Sequence, residues 1–366
     1  MRRLFSTSSH DFTKSIKKHW YNHIVPDNAL KSKITHDAIL SDKFGRYHNY
    51  LRISLTEKCN MNCRYCVYDQ DIKYTAKDKL LSEDEMLRMT RLFVKAGVTK
   101  IRLTGGEPTI YKGLSKFIYE IGSMDEIKTL AMTTNGSVLY KKLNEYHKNG
   151  LTNLNISLDT FDAKKAEYVT RTKFHKNVLR SIEDALSIGY NPLKINCVVM
   201  RGINDDAIEN FVEYVRDKPI NVRFIEFFSI GSNGWTKDKT FSFKEMVDKI
   251  EKKFGPLKRL DDHYTETAKN YSLDGFMGTI SFITSVTTPF CGSCNRIRLL
   301  SSGDFRRCLH DDNMLNMKEL IKRGYNDDFL LEAISMHLKN KKKAHGGLDF
   351  ISKMMKDGIE MIKIGG

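Results

Sequence analysis

Three cysteines within one short stretch constrain this chain more than any other feature. The segment Cys59-Asn60-Met61-Asn62-Cys63-Arg64-Tyr65-Cys66 has the spacing C-x3-C-x2-C. One loop with that spacing brings three thiolates to a common point. Thiolates are soft ligands suited to zinc or iron–sulfur clusters. Four would complete a [4Fe–4S] cluster, but the next cysteine is Cys197. Three ligands leave one iron open to a molecule other than protein. A zinc knuckle would need a fourth Cys or His close by, and the nearest downstream histidine is His147.

The loop leaves a strand, Tyr50–Leu55, and an alternating pattern follows. Further strands are expected at Lys100–Thr104, Thr129–Thr133, Asn153–Leu158, Lys194–Val199 and Val222–Phe227. Between them lie helical stretches: one opened by the capping box Ser82–Glu85, then Gly113–Ile121, Val138–Lys148, His175–Ile188 and Asp206–Val215. Strands alternating with amphipathic helices predict a parallel sheet with right-handed crossovers. Six βα units between about residue 47 and residue 254 are too few for a closed eight-stranded barrel, which takes about 250 residues. The expected fold is α/β, a partial, laterally open (βα)6 TIM-type barrel. Its site is expected at the C-terminal ends of the strands, where the cysteine loop, Gly105-Gly106-Glu107-Pro108, Thr133-Thr134-Asn135-Gly136 and Ser157-Leu158-Asp159 fall. After Gly255-Pro256 the alternation stops, and helices return at Met314–Leu320 and Asp327–Leu338. The division is therefore residues 1–46 as leader and linker, 47–255 as barrel and 256–366 as a C-terminal domain.

Alternate residues of a strand share a face. Arg52 and Ser54 share one, as do Lys100, Arg102 and Thr104; Asn155 and Ser157; and Lys194 and Asn196, with Arg223 at the start of the sixth strand. The residues between are apolar and must be covered by the helices, so the polar set faces the barrel interior. Buried cations without partners cost several kcal/mol each. The nearby counter-charges expected from sequence are Glu107, Asp159 and Glu226. A polyanion such as a nucleoside triphosphate would resolve the imbalance. Any one of these cations has the alternative of snorkelling out or pairing with an acid.

A second cysteine set, Cys291, Cys294 and Cys308, has the spacing C-x2-C-x13-C and is followed by His310. By spacing alone it suits zinc as well as a cluster. Cys197 stands alone in a strand. Such clustering does not form a disulfide framework and points to a reducing compartment.

The first loop resembles the signature of the radical S-adenosylmethionine (SAM) enzymes, in which the open iron binds the amino and carboxylate groups of SAM. The resemblance narrows with Ile101–Pro108, Thr133–Gly136, Asn155–Asp159, Arg223-Phe224-Ile225-Glu226, Phe290-Cys291-Gly292-Ser293-Cys294-Asn295-Arg296-Ile297-Arg298, Cys308 and the terminal Gly365-Gly366. From about Phe44 to Gly366 the chain is similar to the molybdenum cofactor biosynthesis protein A family, the GTP 3′,8-cyclases, in its mitochondrial eukaryotic form. The resemblance implies a lyase with two [4Fe–4S] clusters, one on Cys59, Cys63 and Cys66 and one on Cys291, Cys294 and Cys308. It implies SAM contacts at Tyr65, Gly106, Ser157 and Phe228, the last in place of the Met often found there. It implies GTP contacts at Arg52, Arg102, Thr133, Lys194 and Arg223, and at Arg296, Ile297 and Arg298 beside the second cluster; Arg296 and Arg298 join the first cysteines as catalytic candidates. The implied reaction takes the ribose 3′ hydrogen of GTP by a 5′-deoxyadenosyl radical and joins the carbon to C8 of guanine. The product is (8S)-3′,8-cyclo-7,8-dihydroguanosine 5′-triphosphate. The implied partners are an electron donor and a downstream cyclic pyranopterin monophosphate synthase, and a homodimer stays open.

Net charge is +15, spread along the chain, and no RNP-like, zinc-finger or basic-zipper pattern accompanies it. No nucleic acid partner is expected, and no apolar run approaches the ~20 residues that span a bilayer. The first residues, Met1-Arg2-Arg3-Leu4-Phe5-Ser6-Thr7-Ser8-Ser9-His10, contain no acid. That Arg/Ser-rich character predicts a transit peptide directed to the mitochondrial matrix. Two rivals remain at this stage: another radical SAM enzyme with an auxiliary cluster, such as a peptide-modifying one, and a non-catalytic zinc protein binding nucleic acid.

Overall fold

The computed structural model describes residues 39–67, 72–231, 233–311, 313–345 and 361–365; the expected transit peptide lies outside them. The described residues belong to one compact unit, His36–Gly366. Six strands run in chain order through the middle of its sheet: β1 (Tyr50–Ser54), β2 (Lys100–Thr104), β3 (Thr129–Thr134), β4 (Asn153–Ser157), β5 (Leu193–Val199) and β6 (Ile220–Glu226). All pair in parallel. Their crossovers carry α1 (Glu83–Lys95), α2 (Leu114–Gly122), α3 (Leu143–Lys148), α4 (Ala163–Thr170), α5 (His175–Ile188) and α6 (Ile208–Tyr214); α7 (Phe243–Phe254) follows β6.

Local chemistry explains the helix starts. The Ser82 hydroxyl accepts from the Glu85 amide and the Glu85 carboxylate from the Ser82 amide, so two otherwise orphaned donors are satisfied. Ser242 and Glu245 repeat the device at α7. Helix α1 then buries Met86, Met89, Leu92 and Phe93 against the sheet. The stretch expected as one helix over Val138–Lys148 divides into a 3-10 turn, Leu139–Lys141, and the short α3.

The C-terminal region extends the same sheet on both flanks. Strand β9 (Thr279–Ile283) pairs in parallel with β6, and β10 (Arg296–Leu299) in parallel with β1. Antiparallel strands finish each edge: β8 (Lys269–Ser272) and β7 (Lys258–Arg259) beyond β9, β11 (Asp304–Arg306) and β12 (Leu315–Asn316) beyond β10. The order β12-β11-β10-β1-β2-β3-β4-β5-β6-β9-β8-β7 leaves the two edges unpaired with each other among the described residues. The barrel is thus open, as expected, yet eight strands rather than six run in parallel. Helices α8 (Met317–Lys322) and α9 (Asp327–Lys339) follow β12, and α10 (Met361–Ile364) precedes Gly365.

The pleat sorts the side chains. Leu51, Ile53, Ile101, Leu103, Ile195, Cys197, Ile297 and Leu299 are fully buried in the core beneath the helices. The residues between them face the interior.

Candidate active site

The cysteine loop is held from two sides. Asn62 and Arg64 donate their amides to the carbonyls of Thr170 and Val169 at the end of α4, at 3.2 and 2.9 Å. Helix α4 was not expected from sequence, because Ala163–Thr170 is short and buries only Ala166 and Val169. On the other side stands the Gly-Gly turn. Gly106 donates to the Thr56 carbonyl at 2.6 Å and Glu107 to that of Lys58 at 2.9 Å. A side chain on Gly106 would come within 2.3 Å of the Lys58 carbonyl oxygen, and Gly105 has φ +148°. These glycines therefore serve a close approach to the chain's own cysteine loop. Glu107 is buried and spent on the protein. Its carboxylate accepts from Thr109 N and Oγ1, from Thr134 Oγ1 and from Asn135 N, at 2.5–2.9 Å.

Cys59, Cys63 and Cys66 open onto one cavity of about 590 Å³. Burial raises all three thiols: Cys59 to about 11, helped by Glu107, and Cys63 and Cys66 further, where neighbouring cysteines and Asp159 add to it. Desolvated thiols, two of them crowded by a neighbouring cysteine, are sulfurs placed for metal charge. Among the described residues no three Cys, His, Asp or Glu side chains converge tightly enough to hold a single ion. A [4Fe–4S] cluster instead takes one cysteine at each of its irons, so its ligands stand apart. The triad fits that group. Tyr65, Gly106, Ser157 and Phe228 line the same cavity. Tyr65 bonds the buried Asp159 carboxylate, which also accepts from the Val198 amide at 2.9 Å. Burial raises that carboxyl to about 6, and these bonds oppose it.

The cations meet in rows. Arg52 is the register partner of Arg102 on one side and of Arg298 on the other. One pleat earlier, Tyr50 is the partner of both Lys100 and Arg296. Lys194 and Arg223 continue the wall on β5 and β6, and Thr133 accepts from Arg102 Nη1 at 3.2 Å. Burial lowers Arg52 to about 10 against the opposing pull of Tyr50, and its arginine neighbours lower it further. Burial and then Arg52 push Arg298 well below the usual guanidinium range. Lys194 falls to about 8 through burial and Arg223. Ile297 turns the other way: it is fully buried in the core and absent from the cavity wall, so its contribution to any ligand is main chain.

The counter-charges expected from sequence do not face these cations. Glu107 and Asp159 are tied as described, and Glu226 accepts from the amides of Phe243, Val286 and Thr287 and the Thr287 hydroxyl. Carboxylates beside free amides satisfy those first. Two partners that sequence reasoning missed take their place, a carboxylate and a phenol. Glu266 lies 3.7 Å from Arg223, and the Tyr50 phenol accepts from Arg102 Nε at 2.5 Å. Burial raises the Tyr50 phenol, but Arg102, Arg52 and Lys100 outweigh it and bring it down to about 7. Tyr50 was legible, since alternation puts it on the face of Arg52; Glu266 sits in a hairpin loop and carries no such signal.

The second cysteine set stands at the other end of the barrel. Cys59 follows the C-terminal end of β1, whereas Cys291 and Cys294 precede the parallel β10, and Cys308 follows the antiparallel β11. A five-residue strand spans roughly 16 Å. The cavity runs that length, from Cys59 and Asn135 at one end to Asn49, Lys128 and Asn295 at the other. The site therefore occupies the whole bore, beyond the strand ends expected from sequence. Arg46 secures this end by donating to the carbonyls of Cys291, Lys342 and Lys343 at 2.7–2.8 Å. Lys341 Nζ lies 3.5 Å from Cys294 Sγ. Burial would raise the Cys294 thiol, yet Arg296 and Lys341 bring it to about 6. His310, the zinc alternative, sits edge-on to Phe228 and His345. At the opposite wall the Gly365 carbonyl accepts from Arg298 Nη1 at 3.0 Å, and Met361 and Ile362 line the cavity.

Residues 53–215 match the model of the radical SAM superfamily, and residues 220–347 that of Molybdenum Cofactor Synthesis C. The mitochondrial GTP 3′,8-cyclase of Arabidopsis thaliana is 47% identical over 99% of this chain and 90% of its own. The chain belongs to the GTP 3′,8-cyclase family. Human molybdenum cofactor biosynthesis protein 1 is 40% identical over 89% of this chain. The chain spans about half the length of that relative, 51%. In fold, the family member described here is similar to Streptococcus suis SuiB bound to S-adenosylmethionine, with a TM-score of 0.54 and 15% identity over 90% of this chain and 78% of that one.

Proposed function

We propose that this chain is a GTP 3′,8-cyclase that converts GTP to (8S)-3′,8-cyclo-7,8-dihydroguanosine 5′-triphosphate, the first step of molybdenum cofactor biosynthesis. The observation that carries this reading is the register row Arg298–Arg52–Arg102, facing the same cavity as Cys59, Cys63 and Cys66. A radical SAM enzyme acting on a neutral substrate has no use for such a row.

In this reading Cys59, Cys63 and Cys66 hold a [4Fe–4S] cluster beside SAM, with Tyr65, Gly106, Ser157 and Phe228 around it. Cluster and SAM, when bound, supply the radical that takes the ribose hydrogen. The chain's residues do the rest by orientation and exclusion. Arg52, Arg102, Lys194 and Arg223 neutralise the triphosphate, with Thr133 fixing Arg102. Arg296 and Arg298 hold the guanosine end, and Ile297 contributes main chain. Cys291, Cys294 and Cys308 hold a second cluster, with Arg296 and Lys341 balancing its thiolates.

The two family models meet between residues 215 and 220. We place the functional division at 47–255 and 256–366, because the two cysteine sets fall one on each side. The reading also includes the mitochondrial matrix as location, an electron donor and a downstream cyclic pyranopterin monophosphate synthase, and it leaves a homodimer open. It includes neither nucleic acid nor membrane; among the described residues no helix is long and apolar enough to cross a bilayer.

The test is anaerobic purification with iron and sulfide counting, then incubation with SAM and GTP. Eight irons per chain, 5′-deoxyadenosine and cyclised nucleotide are expected, as two four-iron clusters require. SAM cleavage without any change in GTP would overturn the substrate and favour the peptide-modifying alternative.

A further inference from the structure

Three acids line the main cavity: Glu107, Asp159 and Glu266. The first two are bound at the Cys59 end by the amides of Asn135 and Val198. That leaves Glu266 as the carboxylate of this wall that faces the cation rows, among the described residues. It lies 3.7 Å from Arg223 Nη2. Arg223 is otherwise poorly served: its Nε is buried without a hydrogen-bond partner, and its bond to Thr267 Oγ1 is long, 3.5 Å. A guanidinium with a spare buried donor and one distant carboxylate awaits a better anion.

The surroundings allow the exchange. Glu266, Lys194 and Arg223 also line an adjoining pocket of about 220 Å³ at the start of β5, β6 and β9. The loop carrying Glu266 is pinned at its base, where Leu260 donates to the Asn270 carbonyl at 2.9 Å and Asp262 binds both Arg259 and Asn270. The Glu266 side chain is 32% exposed. Its partial exposure and its place on both cavity walls leave room to give way to a ligand while the base bonds hold.

We propose that Glu266 is a built-in counter-ion of the phosphate subsite, which neutralises Arg223 and Lys194 in the free protein and is displaced by the substrate's polyphosphate. The carboxylate keeps the cation rows folded without ligand, and it sets a threshold: an incoming anion must outcompete it. Glu266 thereby disfavours weakly charged ligands. The inference rests on the reading of the cavity as a GTP site.

The experiment measures dissociation constants of GTP and of inorganic triphosphate, anaerobically, for the reconstituted full chain and for Glu266→Gln, Glu266→Asp and Asp217→Asn. Glu266→Gln should bind both anions about three- to tenfold tighter at low salt, with the gain shrinking as salt rises. Glu266→Asp keeps the charge and should stay near wild type. Asp217→Asn removes an exposed charge off the cavity wall, away from the Glu266 loop, and should bring no gain. Unchanged or weaker binding by Glu266→Gln overturns the proposal, since the carboxylate would then be holding Arg223 for the substrate. An equal gain in Asp217→Asn also overturns it, because net charge alone would suffice. If wild type binds inorganic triphosphate but not GTP, the GTP reading fails while the counter-ion result stands on the triphosphate data.

Discussion

Arg298 lies beside Arg52 as its register partner across the parallel pair β1–β10, and Arg102 flanks Arg52 on the other side. Like charges placed directly opposite in neighbouring strands repel, and burial adds to the cost. This row is a strained element of the free protein that a polyanion relieves. Inorganic triphosphate should therefore raise the thermal midpoint of the ligand-free chain, and guanosine should not. Arg52→Met should stabilise the free protein by ~1 kcal/mol and lose most of the triphosphate effect. Scanning fluorimetry with and without triphosphate reads both; an Arg52→Met variant that is destabilised and still responds fully would contradict the argument.

Iron content separates the cysteines. Cys63→Ser should remove about half the iron and abolish SAM cleavage, and Cys294→Ser about half the iron while leaving SAM binding detectable. Cys197→Ser should keep all of it, since that thiol is fully buried on the apolar face, 3.6 Å from the Asp159 carbonyl. The serine would cost about 1–2 kcal/mol of stability through its buried hydroxyl. Colorimetric iron and sulfide assays on the three variants check this.

Gly106→Ala tests the clamp on the cysteine loop. The added methyl would meet the Lys58 carbonyl at 2.3 Å, so the loop must shift although no ligand has changed. Iron at the first site should fall and SAM cleavage with it, while the second site stays loaded. Electron paramagnetic resonance of the reduced variant distinguishes the two. Full occupancy of both sites would show that the loop does not need this approach.

Lys194 gives GTP binding a pH dependence. Burial and Arg223 lower its folded pKa to about 8, below the unfolded value, so the folded protein binds fewer protons between about 8 and 10.5. Stability of the free chain should rise across that window on this account. A phosphate ligand favours the charged ammonium, so GTP binding should take up a proton above about pH 8 and weaken as pH rises further. Lys194→Met should remove that proton uptake. Calorimetric titrations in buffers of different ionisation enthalpy measure it directly, with Tyr50→Phe as the control for the phenol that titrates near 7.

Much of this protein was written locally. The spacing of Cys59, Cys63 and Cys66 defines a metal loop because three residues close together in the chain cannot end far apart. The Ser82–Glu85 box and the period-2 alternation around Arg52, Arg102 and Lys194 fix elements and faces by interactions within a few residues. Those signals determined the strands, the open α/β architecture and the polar lining of the bore. What sequence could not supply is pairing between distant segments. Strands β9 and β10 join the sheet from a region without βα alternation, and only that pairing puts Arg298 beside Arg52 and the second cysteine set at the opposite end from the first. The same limit explains the misplaced counter-charges. Glu107, Asp159 and Glu226 lie near the cations in sequence, but buried amides claim them, while Glu266 reaches Arg223 from a hairpin loop. Residue type and spacing set which chemistry is present; the register of remote strands, fixed by the packing of the whole sheet, decides which charges meet.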